Sequence, residues 1–274
     1  MIEIPESITL TKQIAKEFKG KRVSRVVAGY TPHGFAFFNH DPAMYPEMLG
    51  GKTLDEVNSL ARLVELVFGD MHFVMGDGST THYLSPDDED PQKHQFLIRF
   101  EDGSGFYCTL RMYGDLSIHP FGESDNFYYL VTKQKPSPLS TEFTRAYFQA
   151  IIDEAGLKTT AKALLATEQR IPGLGNGVLQ DILFNARIHP QRKLQDLEDS
   201  DLDTLYTCIV EGLADMTSKQ GRDTEKDLYG VPGGYKTILS NKTFSDPCPL
   251  CGSSIVRKAY LGGNVYFCPV CQPL

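Results

Sequence analysis

The sequence predicts an α+β, multi-domain chain: an N-terminal β-sandwich, a helical middle domain and a C-terminal metal-binding β-hairpin. Three observations carry this reading. From Lys21 to about Leu130 the chain is a series of short segments rich in β-branched and aromatic residues, separated by GD, DG and GG turns. After Leu139 the apolar residues recur at helical spacing with few breakers. Four of the six cysteines then fall in two close pairs near the end of the chain.

Taken in order, the chain opens MIEIPES, which sets two carboxylates, Glu3 and Glu6, beside the only α-amine before any periodic segment begins. Residues 7–19, SITLTKQIAKEFK, bring Ile8, Ile14, Ala15 and Phe18 to one face of an amphipathic helix that Gly20 ends. VSRVVAGY, ARLVELVFGD, MHFVMGDG, HQFLIRFEDGSGFYCTLRMYG and NFYYLVT read as strands of an antiparallel sandwich or barrel. KQKPSPLS, residues 133–140, is a linker. FTRAYFQAIIDEAG, TTAKALLATEQR, GVLQDILFNARI and LDTLYTCIVEGLADMTSKQ are helical, and residues 220–243 are glycine-rich and polar. The boundaries expected are 1–132, 133–220 and 221–274.

At 274 residues the chain has room for modules that each bury a core. No apolar run approaches the roughly 18 residues needed to cross a bilayer, and no basic flank precedes an apolar N-terminal stretch, so a cytoplasmic protein is expected. The net charge is -8, with 13 basic against 19 acidic residues in 1–140 and 14 against 16 in 141–274. Neither half is basic, which excludes binding nucleic acid through a broad positive surface and leaves only a cleft with few, placed phosphate contacts.

CPLC at 248–251 and CPVC at 268–271 each bend two thiolates toward one ion, and the 16 residues between Cys251 and Cys268 suffice for a hairpin. Cys248, Cys251, Cys268 and Cys271 are therefore expected to hold one structural Zn²⁺ with no open position for a catalytic water. Cys108 and Cys208, isolated in apolar surroundings, read as buried thiols. In EQRIPGLGNGVLQDILFNARIHP, residues 168–190, a helix ends near Gln169, a loop with Gly173, Gly175 and Gly177 turns sharply, and a new helix starts near Val178. Outward-pointing amides in such a loop make a phosphate cradle, with the Asn176 side chain as a further donor; a plain helix–helix connection has the same glycine content.

The IPGLGNG loop, the following IHP, the terminal four-cysteine module and the MIEIPE start together resemble the formamidopyrimidine-DNA glycosylase and endonuclease VIII family, the helix-two-turn-helix base-excision enzymes. The resemblance runs through the whole chain in the family's order. It implies an N-terminal β-sandwich carrying the catalytic terminus, a helix-two-turn-helix domain and a C-terminal zinc finger. It also implies extrusion of a damaged nucleotide, attack of a terminal proline amine on C1′, and strand cleavage by β,δ-elimination through an imine.

By that resemblance Glu3 handles protons at the sugar and Glu6 orders the terminus. Ile2 stands where the family has proline, so Met1 is retained and carries the free amine. Without covalent attack, Glu3 can instead activate a water, giving a glycosylase with weakened or absent lyase activity. Arg62 corresponds to a lysine of the family and, always protonated, keeps a phosphate contact but not a nucleophile. In LRMYG, residues 111–114 resemble the family's wedge hairpin: Arg111, Met112 where an arginine fills the vacated space, and Tyr113 where an aromatic ring enters the stack. Met75 is a second gap-filler candidate, and Gly263 replaces an arginine of the finger. Residues 221–240 resemble the loop that closes over the base, with Tyr235 stacking on it, while the DTEKD charges read as a solvated face. The resemblance thus implies a monomeric, nucleoid-associated partner of damaged or abasic duplex DNA. The acidic balance and the missing proline also fit a non-catalytic reader of damaged DNA.

Overall fold

The computed structural model describes residues 1–76, 78–111 and 113–274. A single helix ties its two larger cores together. That helix, α1 (Ile4–Phe18), begins three residues earlier than the periodicity predicts, because Glu3 caps it and Glu6 returns a hydrogen bond to the Glu3 amide in a capping box, with Pro5 in the first turn. Leu10, Ile14 and Phe18 face the sandwich core, while Ile4 packs into the helical core.

The sandwich contains β1 (Val23–Ala28), β2 (Ala36–Phe37), a short helix α2 (Tyr45–Leu49), β3 (Glu56–Leu60), β4 (Leu63–Phe68), β5 (Met71–Met75), β6 (Ser79–Leu84), β7 (Phe96–Phe100), β8 (Gly105–Leu110) and β9 (Gly114–Pro120). One sheet runs β1-β7-β8-β6 and the other β2-β9-β5-β4-β3, antiparallel except for the β2–β9 pair. Their inner faces bury Phe68, Phe73, Phe96 and Phe106 around Phe18. NFYYLVT, expected as a strand, is instead helix α3 (Phe127–Gln134). The Asn126 side chain accepts from the Tyr128 and Tyr129 amides, and this cap outweighs the β preference of the aromatic run.

The helical domain holds α4 (Arg145–Ala155), α5 (Ala161–Ala166), α6 (Val178–Asn185) and α7 (Asp199–Ser218). Thr144 and Thr160 cap α4 and α5. Helix α5 stops three residues before Gln169, and Glu168 and Gln169 follow with positive φ, so the turn into the glycine-rich loop begins earlier than the sequence suggested. The closing hairpin, β10 (Val256–Tyr260) and β11 (Gly263–Phe267), packs with Phe184 of α6 in a third small core that includes Cys248 and Cys268. It is fastened to the helices by Lys162 of α5, which donates to the Tyr260 carbonyl. Gln180 of α6 bonds the Asn176 and Asn264 carbonyls and the Tyr266 amide.

Candidate functional site

The opening carboxylates lie at the junction of all these elements. Glu3 and Glu6 are 4% and 5% exposed. Glu3 Oε1 accepts from the Gly177 amide and Oε2 from the Val178 amide, both at 2.8 Å, so the acid sits on the first turn of α6. An anion there is favoured by the unpaired amides and the helix dipole. The glycine-rich loop expected to cradle a phosphate thus spends two of its amides on the protein's own carboxylate. A Cβ on Gly175 would lie 2.6 Å from Glu3 Oε1, which gives that glycine its reason.

Between the two acids stands Arg222, itself 2% exposed. Its Nε and Nη2 donate to Glu6 Oε1 and Oε2 at 3.0 and 2.8 Å, its backbone amide donates to Oε1 at 3.1 Å, and Nη1 lies 3.5 Å from Glu3 Oε2. Burial raises the Glu3 carboxyl above its ordinary range, and the Glu6 charge adds to this. Arg222 and the two amides pull the other way without overcoming it. Burial acts on Glu6 too, but the charge and hydrogen bonds of Arg222 win and hold it below the usual range. Two adjacent carboxylates are thereby pushed apart, one toward carrying a proton and one toward permanent ionisation.

Sequence reasoning missed Arg222. It stands next to the DTEKD run expected as a solvated face, and that run is itself partly engaged: Asp223 accepts from the Thr237 amide and hydroxyl, and Glu225 holds the Met1 amine at 2.5 Å. Met1 and Ile2, with Glu6, Thr80, Thr81 and Leu10, line a cleft of about 240 Å³ together with the charged Arg111, Lys226, Lys242 and Glu225. Ile2, at the position expected for proline, is 5% exposed and belongs to the sandwich core. Glu6 and Ile2 line this cleft, and Glu3, whose backbone amide donates to Glu6 Oε2, is buried outside its lining.

The remaining expected residues divide. Arg62 is half-buried on the β3–β4 turn, and that turn packs on the loop, since a Cβ on Gly173 would meet Ala61 at 2.8 Å. Tyr113 is 58% exposed and its ring joins those of Phe35 and Phe37, at 4.7 and 6.2 Å, in an exposed aromatic group that the sequence reading overlooked. Met112 lies outside the described residues. Asn176 is half-buried beside the finger: a Cβ on Gly263 would fall 2.5 Å from its Nδ2, so glycine at 263 leaves room for Asn176.

Two expectations need correction. Met75 is fully buried in the sandwich core against Thr81 and Cys108, so it fills protein rather than a gap in DNA. Tyr235 is 7% exposed within the helical core, with its hydroxyl on buried Asp181, so its ring does not face the cleft. The segment around it is tied down, because Asp181 accepts from the Ile238 and Leu239 amides, both at 2.8 Å. Burial raises the Asp181 carboxyl to about 6 despite these bonds.

The four paired cysteines converge, with all their sulfurs within 4.8 Å of one another, Cys248–Cys271 at 3.9 Å and Cys251–Cys268 at 3.5 Å. Tetrahedral Zn–S bonds of about 2.3 Å require sulfurs about 3.8 Å apart, so the set could hold one such ion.

Residues 135–226 match the Formamidopyrimidine-DNA glycosylase H2TH domain. Along the chain the sequence is 28% identical over 281 residues to the Formamidopyrimidine-DNA glycosylase of Symbiobacterium thermophilum, covering 100% of this chain and 90% of the relative. It is 29% identical to that of Geobacter sulfurreducens, covering 99% and 100%. Among solved structures, Lactococcus lactis Fpg in complex with DNA containing an abasic site superposes with a TM-score of 0.83 at 21% identity, covering 99% of this chain and 100% of that one. MutM (Fpg) from Thermus thermophilus gives 0.80 at 23%, covering 98% of each. The structures establish the shared fold, and the sequence matches make the chain similar along its whole length to formamidopyrimidine-DNA glycosylases, with Ile2 rather than proline after Met1.

Proposed function

We propose that this protein is a DNA-repair glycosylase that extrudes a damaged base and breaks its N-glycosidic bond, with lyase activity weakened or absent. The observation that carries the reading is the buried Glu3–Glu6–Arg222 cluster, whose Glu6 lines the cleft, with burial raising the Glu3 carboxyl and Arg222 holding the Glu6 carboxyl down. A water attacking C1′ gives its proton to ionised Glu3 as the glycosidic electron pair leaves with the base. Glu6 keeps the terminus in register.

The weak lyase follows from the terminus itself. Ile2 is a secondary amide locked in the core, and the free amine, Met1, is one residue further out and bonded to Glu225. Attack on a sugar requires that pair to break first. Arg111, Lys226 and Lys242 supply placed positive charge in the cleft, in keeping with an acidic chain that contacts few phosphates. Arg62, Gly175 and Asn176 meet the backbone near the lesion, and Arg111, Met112 and Tyr113 enter the space left by the extruded base. One Zn²⁺ on Cys248, Cys251, Cys268 and Cys271 would fix the hairpin beside Asn176, supplying structure rather than chemistry. One chain acts on each lesion, in the cytoplasm. The chance of a non-catalytic reader is disfavoured by retention of both carboxylates in a single buried cluster.

The test is base release from a duplex carrying one formamidopyrimidine-dG. Release by the wild type, lost in Glu3→Gln while binding to a tetrahydrofuran-containing duplex persists, is the expected result. Release that ignores Glu3→Gln would remove the assignment.

A further inference from the structure

The segment following α7 supplies a group that the terminus lacks from its own sequence. Arg222 is the one cation that touches both Glu3 and Glu6 among the described residues, and Nη2 also reaches the Met1 carbonyl at 3.4 Å. It makes these contacts as a fork, with two nitrogens on the two oxygens of Glu6 and the third turned to Glu3. The path it takes exists only because residue 177 is glycine: a Cβ there would stand 1.4 Å from Nη1, an impossible contact that neither partner can relieve while the other stays in place. The glycine of the loop and the arginine forty-five residues later are therefore one device.

We propose that Arg222 is a positioning residue for base release, holding Glu6 as a rigid strut under Ile2 and Glu3 against the first turn of α6. The proposal rests on the glycosylase reading and adds the group that makes a terminus without proline workable. Without Arg222, two buried carboxylates would face one another with only backbone amides between them, and the attraction that keeps the terminus seated would become repulsion. Besides Glu3 and Glu6, the charged groups facing the cluster are the Met1 amine, which Glu225 holds, Asp181 of α6, and Lys226 and Asp227, which line a small recess with Glu6 and Arg222. Arg111 and Lys242 share the cleft with Glu6, and Arg222 alone among the described residues bonds both carboxylates.

The experiment compares wild type, Arg222→Lys, Arg222→Met and the double variant Glu6→Gln/Arg222→Met, all as full chains. Single-turnover base release from a formamidopyrimidine-dG duplex is followed across pH, and affinity for a tetrahydrofuran duplex is measured in parallel. Arg222→Met is expected to lose roughly a hundredfold in release, a fraction of what proton handling supplies, with affinity little changed. The limb of its pH profile that belongs to Glu3 moves to higher pH, because a compensating positive charge is gone. Arg222→Lys keeps that limb near its place but recovers the rate only in part, since one ammonium cannot replace the fork. The double variant removes both charges together and so avoids leaving Glu6 as an uncompensated buried charge, and it is expected to remain slow because Glu3 has lost its partner.

Wild-type rate and an unmoved profile in Arg222→Met or in the double variant would overturn the role of Arg222 and leave the glycosylase reading standing. Equal losses of rate and affinity would reduce Arg222 to general support and overturn it as well. No release by the wild type would overturn the glycosylase reading, and this proposal with it.

Discussion

Two carboxylates are almost equally hidden from solvent in this protein and are treated in opposite ways. Glu65, on β4 of the sandwich, is as buried as Glu3, yet it is surrounded by donors: His72 at 2.8 Å, Asn58 at 3.1 Å, the Tyr129 hydroxyl at 2.5 Å and Lys133 at 3.4 Å. Burial alone would raise its carboxyl, but these partners outweigh it and hold it down to about 2. Glu3 has two amides and a more distant guanidinium, and burial wins. Glu65 is thus a strut that fastens α3 to the sheet, whereas the Glu3 carboxyl is raised above its ordinary range. Partner number and reach, together with how strongly burial desolvates each carboxyl, separate the structural acid from the chemical one.

The widest contrast is expected in turnover. Glu3→Gln should slow base release by roughly 10²–10⁴-fold, while Glu65→Gln leaves release per folded molecule unchanged; a parallel loss in both would erase the distinction. In stability the order reverses. Breaking the Glu65 network should cost about 3 kcal/mol in urea melts at pH 7, the scale expected when one partner of a buried charged network is removed. Because folding lowers the Glu65 pKa, its contribution is complete above the ordinary value of 4.5 and is lost as pH falls toward 2. The wild type and Glu65→Gln should therefore converge in acid.

Smaller effects probe the surfaces around the cleft. Tyr113→Ala should weaken binding to a tetrahydrofuran duplex by about 1–3 kcal/mol, the worth of an aromatic ring stacked on a base, while thermal stability stays put because the ring is exposed. Removing zinc with a strong chelator should release one equivalent per chain and loosen the hairpin beside Asn176. Binding would then fall, while the sandwich, whose core shares no residue with the finger, keeps its own unfolding transition.

Much of this architecture was legible in the sequence, for reasons that differ by element. The cysteine hairpin could be read because CxxC spacing admits few other geometries. The strands could be read because turn signals bracket them, except that NFYYLVT was claimed by the Asn126 cap for α3. The helix over 4–18 was read short because a glutamate capping box is a weaker signal than serine or threonine. Glu3 and Glu6 stood out by their place beside the amine. Arg222 did not, because its meaning lies in contacts across 216 and more residues, and a local run of charges looks the same whether it faces solvent or a buried pair. Tyr235 and Met75 were misplaced for the complementary reason: an aromatic or a methionine near a motif is equally a core residue, and here both are core.

The most direct test of the account, which locates the chemistry at Glu3 rather than at an amine, is borohydride trapping on a duplex containing an abasic site. Mass spectrometry of the product would read both the adduct and the true N-terminus. The account predicts at most a small fraction of trapped protein, with the Met1 amine still free in chains that release base. Stoichiometric trapping at the Met1 or a processed Ile2 amine would contradict it and return the reaction to covalent attack by the terminus.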